Sequence, residues 1–301
     1  MIHVYWHYSM ITSKTEGVAL VQVLIMTAIM SLIAIQFTKT ARHQVEIAKD
    51  FNDRIKAELL LKTARSRIVF EFFRNDSSQL SDAVINGVKW NLRGIPFDLS
   101  QNVSVSITST TALLSVITAP KMYLHKLLLT LNVDETTTLE VIDAINDWID
   151  VDDITSIYGA EKNYYQGLSI EPRNGPLQHI SELNSIRGIT PELYSSLKGL
   201  LTIYTSGSIN PSLAKPELVN TIFEPYIAQQ ILQAQKEQNF SEDTWQGIVG
   251  SKQYEFVDLH PRSTFMVSIS AKYNDVIITS NFDLKVESQK SKDPIVILAN
   301  Y

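Results

Sequence analysis

The chain has 301 residues, 45% of them hydrophobic and 19% charged, with a formal net charge of −6 and no cysteine. That much apolar side chain excludes wholesale disorder, and the length allows one large domain or two smaller ones. An acidic balance without any basic run speaks against a nucleic-acid-binding face, and the missing cysteines remove disulfides, thiolate metal sites and a cysteine nucleophile.

Residues 18–37, "VALVQVLIMTAIMSLIAIQF", form an uncharged run of 20 residues, the length that spans a bilayer core as a helix. Its 11 Leu, Ile, Val or Phe residues each contribute about 0.3–0.6 kcal/mol toward insertion, offset in part by Gln22, Thr27, Ser31 and Gln36. A cleavable secretory signal would have a shorter apolar core and then a break. Here no Gly or Pro follows, and helical periodicity continues to "NDSS" at 75–78. Val45, Ile47, Phe51, Ile55, Leu59, Leu60, Ala64 and Ile68 recur mainly at four-residue steps, which predicts a single apolar stripe. The whole would be one rod of about 55 residues, near 80 Å at the helical rise. Lys14 precedes the apolar run while Lys39 and Arg42 follow it, so charge does not orient the segment.

After the rod, "VKWNLRG" and "NVSVSITS" alternate at period two and predict half-buried strands, with "ALLSVIT" as a third. From Pro120 to about Phe240 the pattern turns helical, and Leu139, Ile142, Ile145 and Ile149 share one face. "PELVNTIFEPYIAQQILQAQKEQ" reads as one helix and "YTSGSINPS" as a loop. Strands return in "TFMVSISAKYNDVIITSNFDLKV", with "YND" as a hairpin turn. A helical block between strands that must pair predicts an α+β fold with a nested domain.

The chemistry concentrates in an acidic cluster: Asp147, Asp150, Asp152, Asp153 and Glu161. With Asp150 in the first position of a calcium loop, Asp152 falls third and Glu161 twelfth, all hard oxygen donors. Ile154 in the fifth place, and Thr155 where the turn needs glycine, exclude an EF-hand. The carboxylate density still suits Ca²⁺, with Asp150, Asp152, Asp153 and Glu161 as metal ligands; the plainer reading is a solvated helix end with Asp147 exposed. "SELNSIRGITPELYSSLKGL" has the form of a helix-hairpin-helix that could hold phosphate near Arg187 and Lys198. A membrane-anchored nucleic-acid binder therefore stands as the alternative, against the weak field of an acid-rich segment. His3, His7, His43, His125, His179 and His260 make no metal-ligand spacing, with His125 and His179 expected at helix surfaces. "GIVGSK" lacks the phosphate-loop spacing. No catalytic constellation is present, so the expectation is a non-enzyme.

A short leader ending in Gly17, an immediate apolar helix and an amphipathic continuation together resemble the type IV pilins and pseudopilins. The resemblance implies a prepilin peptidase that cuts after Gly17 and methylates Val18; translation from Met10 would leave the leader "MITSKTEG". Most pilins carry glutamate at the fifth mature position, where this chain has Gln22. That exception, with "INDWIDVDDITSIYGAEKNYY", "GPLQHISELNSIRGIT", "SINPSLAKPELV" and "STFMVSISAKYNDV" in order, resembles the type II secretion system minor pseudopilin K family. "ALLSVIT" departs from that family's usual turn. The resemblance implies a long N-terminal helix packed on a pilin-like antiparallel sheet, interrupted by a large inserted all-α domain. The expected divisions are a leader at 1–17, a transmembrane part at 18–37, a pilin-like core at 38–119, the α-domain at 120–250 and return strands at 251–301. It also implies Ca²⁺ in the acidic loop and a single-pass place in the bacterial inner membrane with the soluble part in the periplasm. The implied partners are other minor pseudopilins in a tip complex, the major pseudopilin, prepilin peptidase and secreted substrates, without nucleic acid. The expected role is to cap the pseudopilus and help initiate its assembly, with Gln22 carrying the assembly difference.

Overall fold

The computed structural model describes residues 16–75, 80, 83–168, 170–204, 207–238, 240–260, 263–287 and 292–301. Residues up to Lys56 form one unit and those from Ala57 a second. Helix α1 (Glu16–Arg74) is unbroken. Hydroxyls in and just after its apolar run are satisfied within the helix: Thr27 Oγ1 donates to the Leu24 carbonyl at 2.9 Å, Ser31 Oγ to the Thr27 carbonyl at 2.8 Å and Thr38 Oγ1 to the Ala34 carbonyl at 2.8 Å. Bonding back to the preceding turn removes the penalty of placing hydroxyls in lipid. Among the described residues this helix alone is long and apolar enough to cross a membrane.

The predicted stripe is corrected over much of its length. Val45, Ile47, Phe51, Ile55 and Leu59 are exposed, and the buried face is Ala57, Leu61, Ala64, Ile68 and Phe72, at steps of four, three, four and four. Periodicity showed that an apolar face exists; only the tertiary fold decides which face it is.

In the second unit that buried face lies on a five-stranded antiparallel sheet. After a two-residue hairpin of β1 (Val84–Ile85) and β2 (Val88–Lys89), the sheet has the order β3 (Phe97–Ser100), β4 (Val103–Ser109), β7 (Thr264–Tyr273), β8 (Val276–Val286), β9 (Ile295–Asn300). Asn86 and Gly87 turn the small hairpin with φ of 51° and 78°, as a tight turn requires. Alternation is strict where it was expected: every second residue of β4, from Val103 to Ser109, is buried. β7 and β8 meet at Tyr273↔Val276, with Asn274 at φ 50° in the turn. Phe72 anchors helix to sheet, its ring 4.6 Å from Phe265 and edge-on to Trp90 at 6.4 Å.

β4 pairs directly with β7 from Val103↔Ala271 to Ser109↔Phe265, so the chain between them leaves the sheet and returns to it. That excursion has its own apolar core, built from α2 (Lys121–Thr130), α3 (Glu135–Ile149), α4 (Lys162–Tyr165), α5 (Pro191–Leu197), α6 (Pro216–Ile222), α7 (Pro225–Lys236) and α8 (Glu242–Val249). The stretch "ALLSVIT" is not a third strand of the main sheet. It contributes only β5 (Leu114–Ser115), paired in parallel with β6 (Leu201–Thr202) inside the helical unit. The helix expected across 216–238 is two helices, because Pro225 starts a new one at its first turn. Tyr254, Phe256, Val257 and Leu259 pack on the helical core before β7 begins.

Two polar knots join the cores. Asn210 is fully buried; its Nδ2 donates to the Leu259 carbonyl at 2.6 Å, its Oδ1 accepts from the Ser212 amide at 2.9 Å, and its own amide reaches the Thr111 carbonyl at 2.7 Å. At the other knot Tyr204 Oη donates to Asp283 Oδ2 at 2.7 Å and Tyr301 Oη to Oδ1 at 3.2 Å. Burial raises the Asp283 carboxyl above its ordinary range, the two hydroxyls and His179 offsetting it only in part. Burial and the Asp283 carboxylate raise both phenols too.

Candidate cation site

Helix α3 begins with Asp134 accepting from the Thr137 amide at 3.0 Å and buries Thr138, Val141, Ile142, Ile145 and Trp148 along one face. Its last turn holds no base, yet Asp147 and Asp150 stand there with Asp152 and Asp153 just beyond. Negative charge at a helix carboxyl end opposes the helix dipole, so this placement carries a cost that a cation would remove.

The loop 150–161 arches away and is tied back to α3 by two carboxylates. Asp147 Oδ2 accepts from the Ser156 amide at 3.1 Å, and Asp143 Oδ2 from the Tyr158 amide at 3.1 Å. Asp147 is fully buried, which overturns the solvated helix end with Asp147 exposed. Its carboxylate lies so close to Gly159 that a Cβ there would sit 2.0 Å from Oδ2. Glycine is required by this approach.

Glu161 is only 3% exposed, and neither of its side-chain oxygens has a hydrogen-bond partner. The Lys162 amide eases its charge slightly without reaching hydrogen-bonding geometry. Burial first, then Asp147, Asp150 and Asp153, hold its carboxyl above the ordinary range. Asp150 is raised for the same reasons, by burial, Asp152 and Asp147, and its Oδ1 is likewise buried without a partner. Buried oxygens left unpaired are costly, and here they belong to mutually repelling acids.

Asp152 and Asp153 are exposed and otherwise engaged: Asp152 Oδ1 accepts from the Ile154 amide at 2.9 Å, and Asp153 Oδ1 from Asn174 Nδ2 at 3.0 Å. Asn174 was missed by sequence reasoning. It turns at φ 48°, donates also to the Asp152 carbonyl at 3.3 Å, and leaves its own Oδ1 buried and unpaired. The Asn-Gly pair at 174–175 marked a turn, but nothing in its spacing tied it to the loop. Among the described residues no three His, Asp or Glu side chains converge as a ready-made metal cage. The unpaired buried oxygens of Asp150, Glu161 and Asn174 are nonetheless all hard donors, a chemistry that fits Ca²⁺ and not a soft-ligand metal.

The hairpin segment packs Leu183, Ile186, Ile189 and Leu197 into the helical core and leaves Lys198 exposed. Its first arm is a 3-10 turn, Ile180–Ser185, capped by His179. Gly188, at φ 82°, packs so tightly that a Cβ would meet Val141 Cγ2 at 2.9 Å. Arg187 is spent on Glu140 and on the Gly159 carbonyl rather than offered to a phosphate. Lys252 of "GIVGSK" pairs with Glu224. His125 meets Glu135 at 2.9 Å near the surface of α2; His3 and His7 lie outside the described residues. At the other end of the chain most of the leader, residues 1–15, also lies outside them. Gly17 and Val18 occupy the first turn of α1, and Gln22 is exposed one turn on.

Residues 99–206, from β3 through the acidic loop to β6, match the family described as Type II secretion system (T2SS), protein K. A "Putative type II secretion system protein K" of Escherichia coli (strain K12) is 29% identical over 205 residues, 62% of this chain and 61% of that protein. Proteins named type II secretion system protein K match in Aeromonas hydrophila, at 31% over 113 residues, 36% of this chain and 34% of that one, and in Pectobacterium carotovorum subsp. carotovorum, at 25% over 203, 62% of each. The chain thus spans about three-fifths of the length of the first of these relatives. Among solved structures, a chain of the GspK-GspI-GspJ complex from enterotoxigenic E. coli superposes with a TM-score of 0.61 at 17% identity, covering 84% of this chain and 98% of that one. A long amino-terminal helix, an antiparallel sheet and a helical unit inserted between two of its strands are the fold that this likeness shows. The chain is thus similar to type II secretion system protein K, in sequence most clearly over residues 99–206 and in fold over most of its length.

Proposed function

We propose that this chain is a minor pseudopilin that caps the pseudopilus tip with other minor pseudopilins and helps initiate its assembly for export of folded proteins from the periplasm. Before assembly residues 18–37 hold it in the bacterial inner membrane as a single pass, with the second unit in the periplasm. Prepilin peptidase cuts after Gly17 and methylates Val18. The observation that carries the tip position is the helical unit with its own core, inserted between β4 and β7. Such bulk fits the end of a fibre of repeated subunits and crowds its middle.

The exposed Val45, Ile47, Phe51, Ile55 and Leu59 give α1 something to bury against neighbouring helices, each worth about 1.5–3 kcal/mol if fully covered. Gln22 suits a subunit with no earlier neighbour. A carboxylate in lipid costs several kcal/mol unless paired, and an amide needs no such partner. In the acidic loop Asp150, Glu161 and Asn174 would hold Ca²⁺, with Asp152 and Asp153 on its rim. The bound ion would supply the positive charge that this helix end lacks.

The test is co-expression with the other minor pseudopilins of the same secretion system, followed by purification and light-scattering mass measurement. A stoichiometric complex supports the reading. A chain that elutes alone when those partners bind one another would refute it.

A further inference from the structure

We propose that Arg187 is the positioning residue of the cation loop, gripping both flanks of Glu161 from a fixed point outside it; this rests on the calcium reading above. The fixed point is built by the hairpin turn. Gly188 seats against Val141 of α3, and the Arg187 amide donates to Tyr165 Oη at 3.1 Å. The side chain is then held by its far end, where Nη2 donates to Glu140 Oε1 at 3.1 Å. Nη1 is left to donate to the Gly159 carbonyl at 3.0 Å, two residues before Glu161. The guanidinium also lies 5.1 Å from the centre of the Tyr164 ring, three residues after Glu161. One residue therefore fixes the chain entering and leaving the most deeply buried of the loop's candidate ligands, without contacting that ligand's carboxylate.

The chemistry requires arginine. A planar fork donates to a carbonyl on one nitrogen and a carboxylate on another while its centre stays over an aromatic ring. A lysine ammonium has three donors but gathers them at one compact point, and it has no planar face to lay against the Tyr164 ring. Arg187 also brings a positive charge near an acid-rich loop without competing for the ligand oxygens, which Glu140 and Gly159 keep it from reaching. Partners beyond the ligand shell typically change metal affinity by about 10–100-fold when mutated.

The experiment is calorimetric titration of Ca²⁺ into the detergent-solubilised full chain, with amide hydrogen exchange on the metal-free protein. Wild type, Glu161→Gln, Arg187→Lys and Arg187→Ala are compared. Glu161→Gln should abolish binding, because it removes a ligand. Arg187→Lys should weaken it about 10-fold, with faster metal-free exchange at 156–161 and unchanged exchange at Val141, Ala144 and Ile145. If Arg187→Ala fails to fold, Arg187→Lys with Glu140→Gln carries the comparison. Wild-type affinity and unchanged loop exchange in the folded Arg187 variants would overturn this proposal alone. A wild-type chain that does not bind Ca²⁺ would overturn the calcium reading and this proposal with it.

Discussion

Replacing Gly159 with alanine tests the loop geometry where it is tightest. The added Cβ would lie 2.0 Å from Asp147 Oδ2 and 2.7 Å from its Cγ. Asp147 cannot swing into solvent, because it is fully buried. Either the carboxylate moves and gives up the Ser156 amide, or the loop backbone lifts and loosens the Arg187 contact. A hydrogen bond to a charged group is worth about 1.5–3 kcal/mol, and forcing an atom into a packed site costs about 1–3 kcal/mol. The sum is about 2.5–6 kcal/mol. For a unit of 245 residues, 57–301, each kcal/mol lowers Tm by about 2–4 °C, so near-ultraviolet circular dichroism should show a fall of about 5–24 °C. Gly167, whose Cβ would meet nothing within 4 Å, is the matched control and should shift by less than about 0.5 kcal/mol as alanine. A Gly159→Ala melt that overlays the wild type would refute the account of the loop.

Gly247→Ala should work in the opposite direction: the residue sits in α8 with open space around its Cβ, and urea titration should show a gain of about 0.5–1 kcal/mol from helix propensity. EDTA should lower Tm and added Ca²⁺ restore it in the wild type, while Glu161→Gln melts alike in both; differential scanning fluorimetry reads this directly. Asp283 gives a pH signature. Its folded carboxyl is held above the ordinary value of 3.8 by burial, so the folded state keeps its proton to higher pH than the unfolded chain. Wild type should therefore gain stability relative to Asp283→Asn as pH falls from neutral toward 3.8, measured as paired Tm values across that range. Gln22→Glu should slow assembly or secretion while leaving the metal-free Tm unchanged, checked by a secretion assay beside a melt.

The strands that alternate were readable because one face of each is wet: β4 and β7 bury every second residue for much of their length. "ALLSVIT" was not readable, because Ala112, Leu113, Leu114 and Ser115 are all buried where the two cores meet, and a run buried on every side has no period. Val45, Ile47 and Phe51 were readable as an apolar face but not as an exposed one, since a sequence does not say whether the cover comes from the same chain. Pro225 carried a legible break that the apolar periodicity on either side masked. At the cation loop the carboxylates announced themselves by density. Asp147 is acidic like its neighbours, yet it is buried as a tie for the loop backbone, and only coordinates separate the two roles. Asn174 and Arg187 reach the loop from later in the chain, a separation that no local spacing rule detects.

The central claim is that this chain is a pilin-class precursor, and its new amino terminus tests that most directly. Co-expression with a prepilin peptidase, followed by intact-mass and fragment-ion spectrometry, should show a chain beginning at N-methylated Val18. An uncut chain, under conditions where a control pilin is processed, would contradict it and leave residues 18–37 as an ordinary membrane anchor.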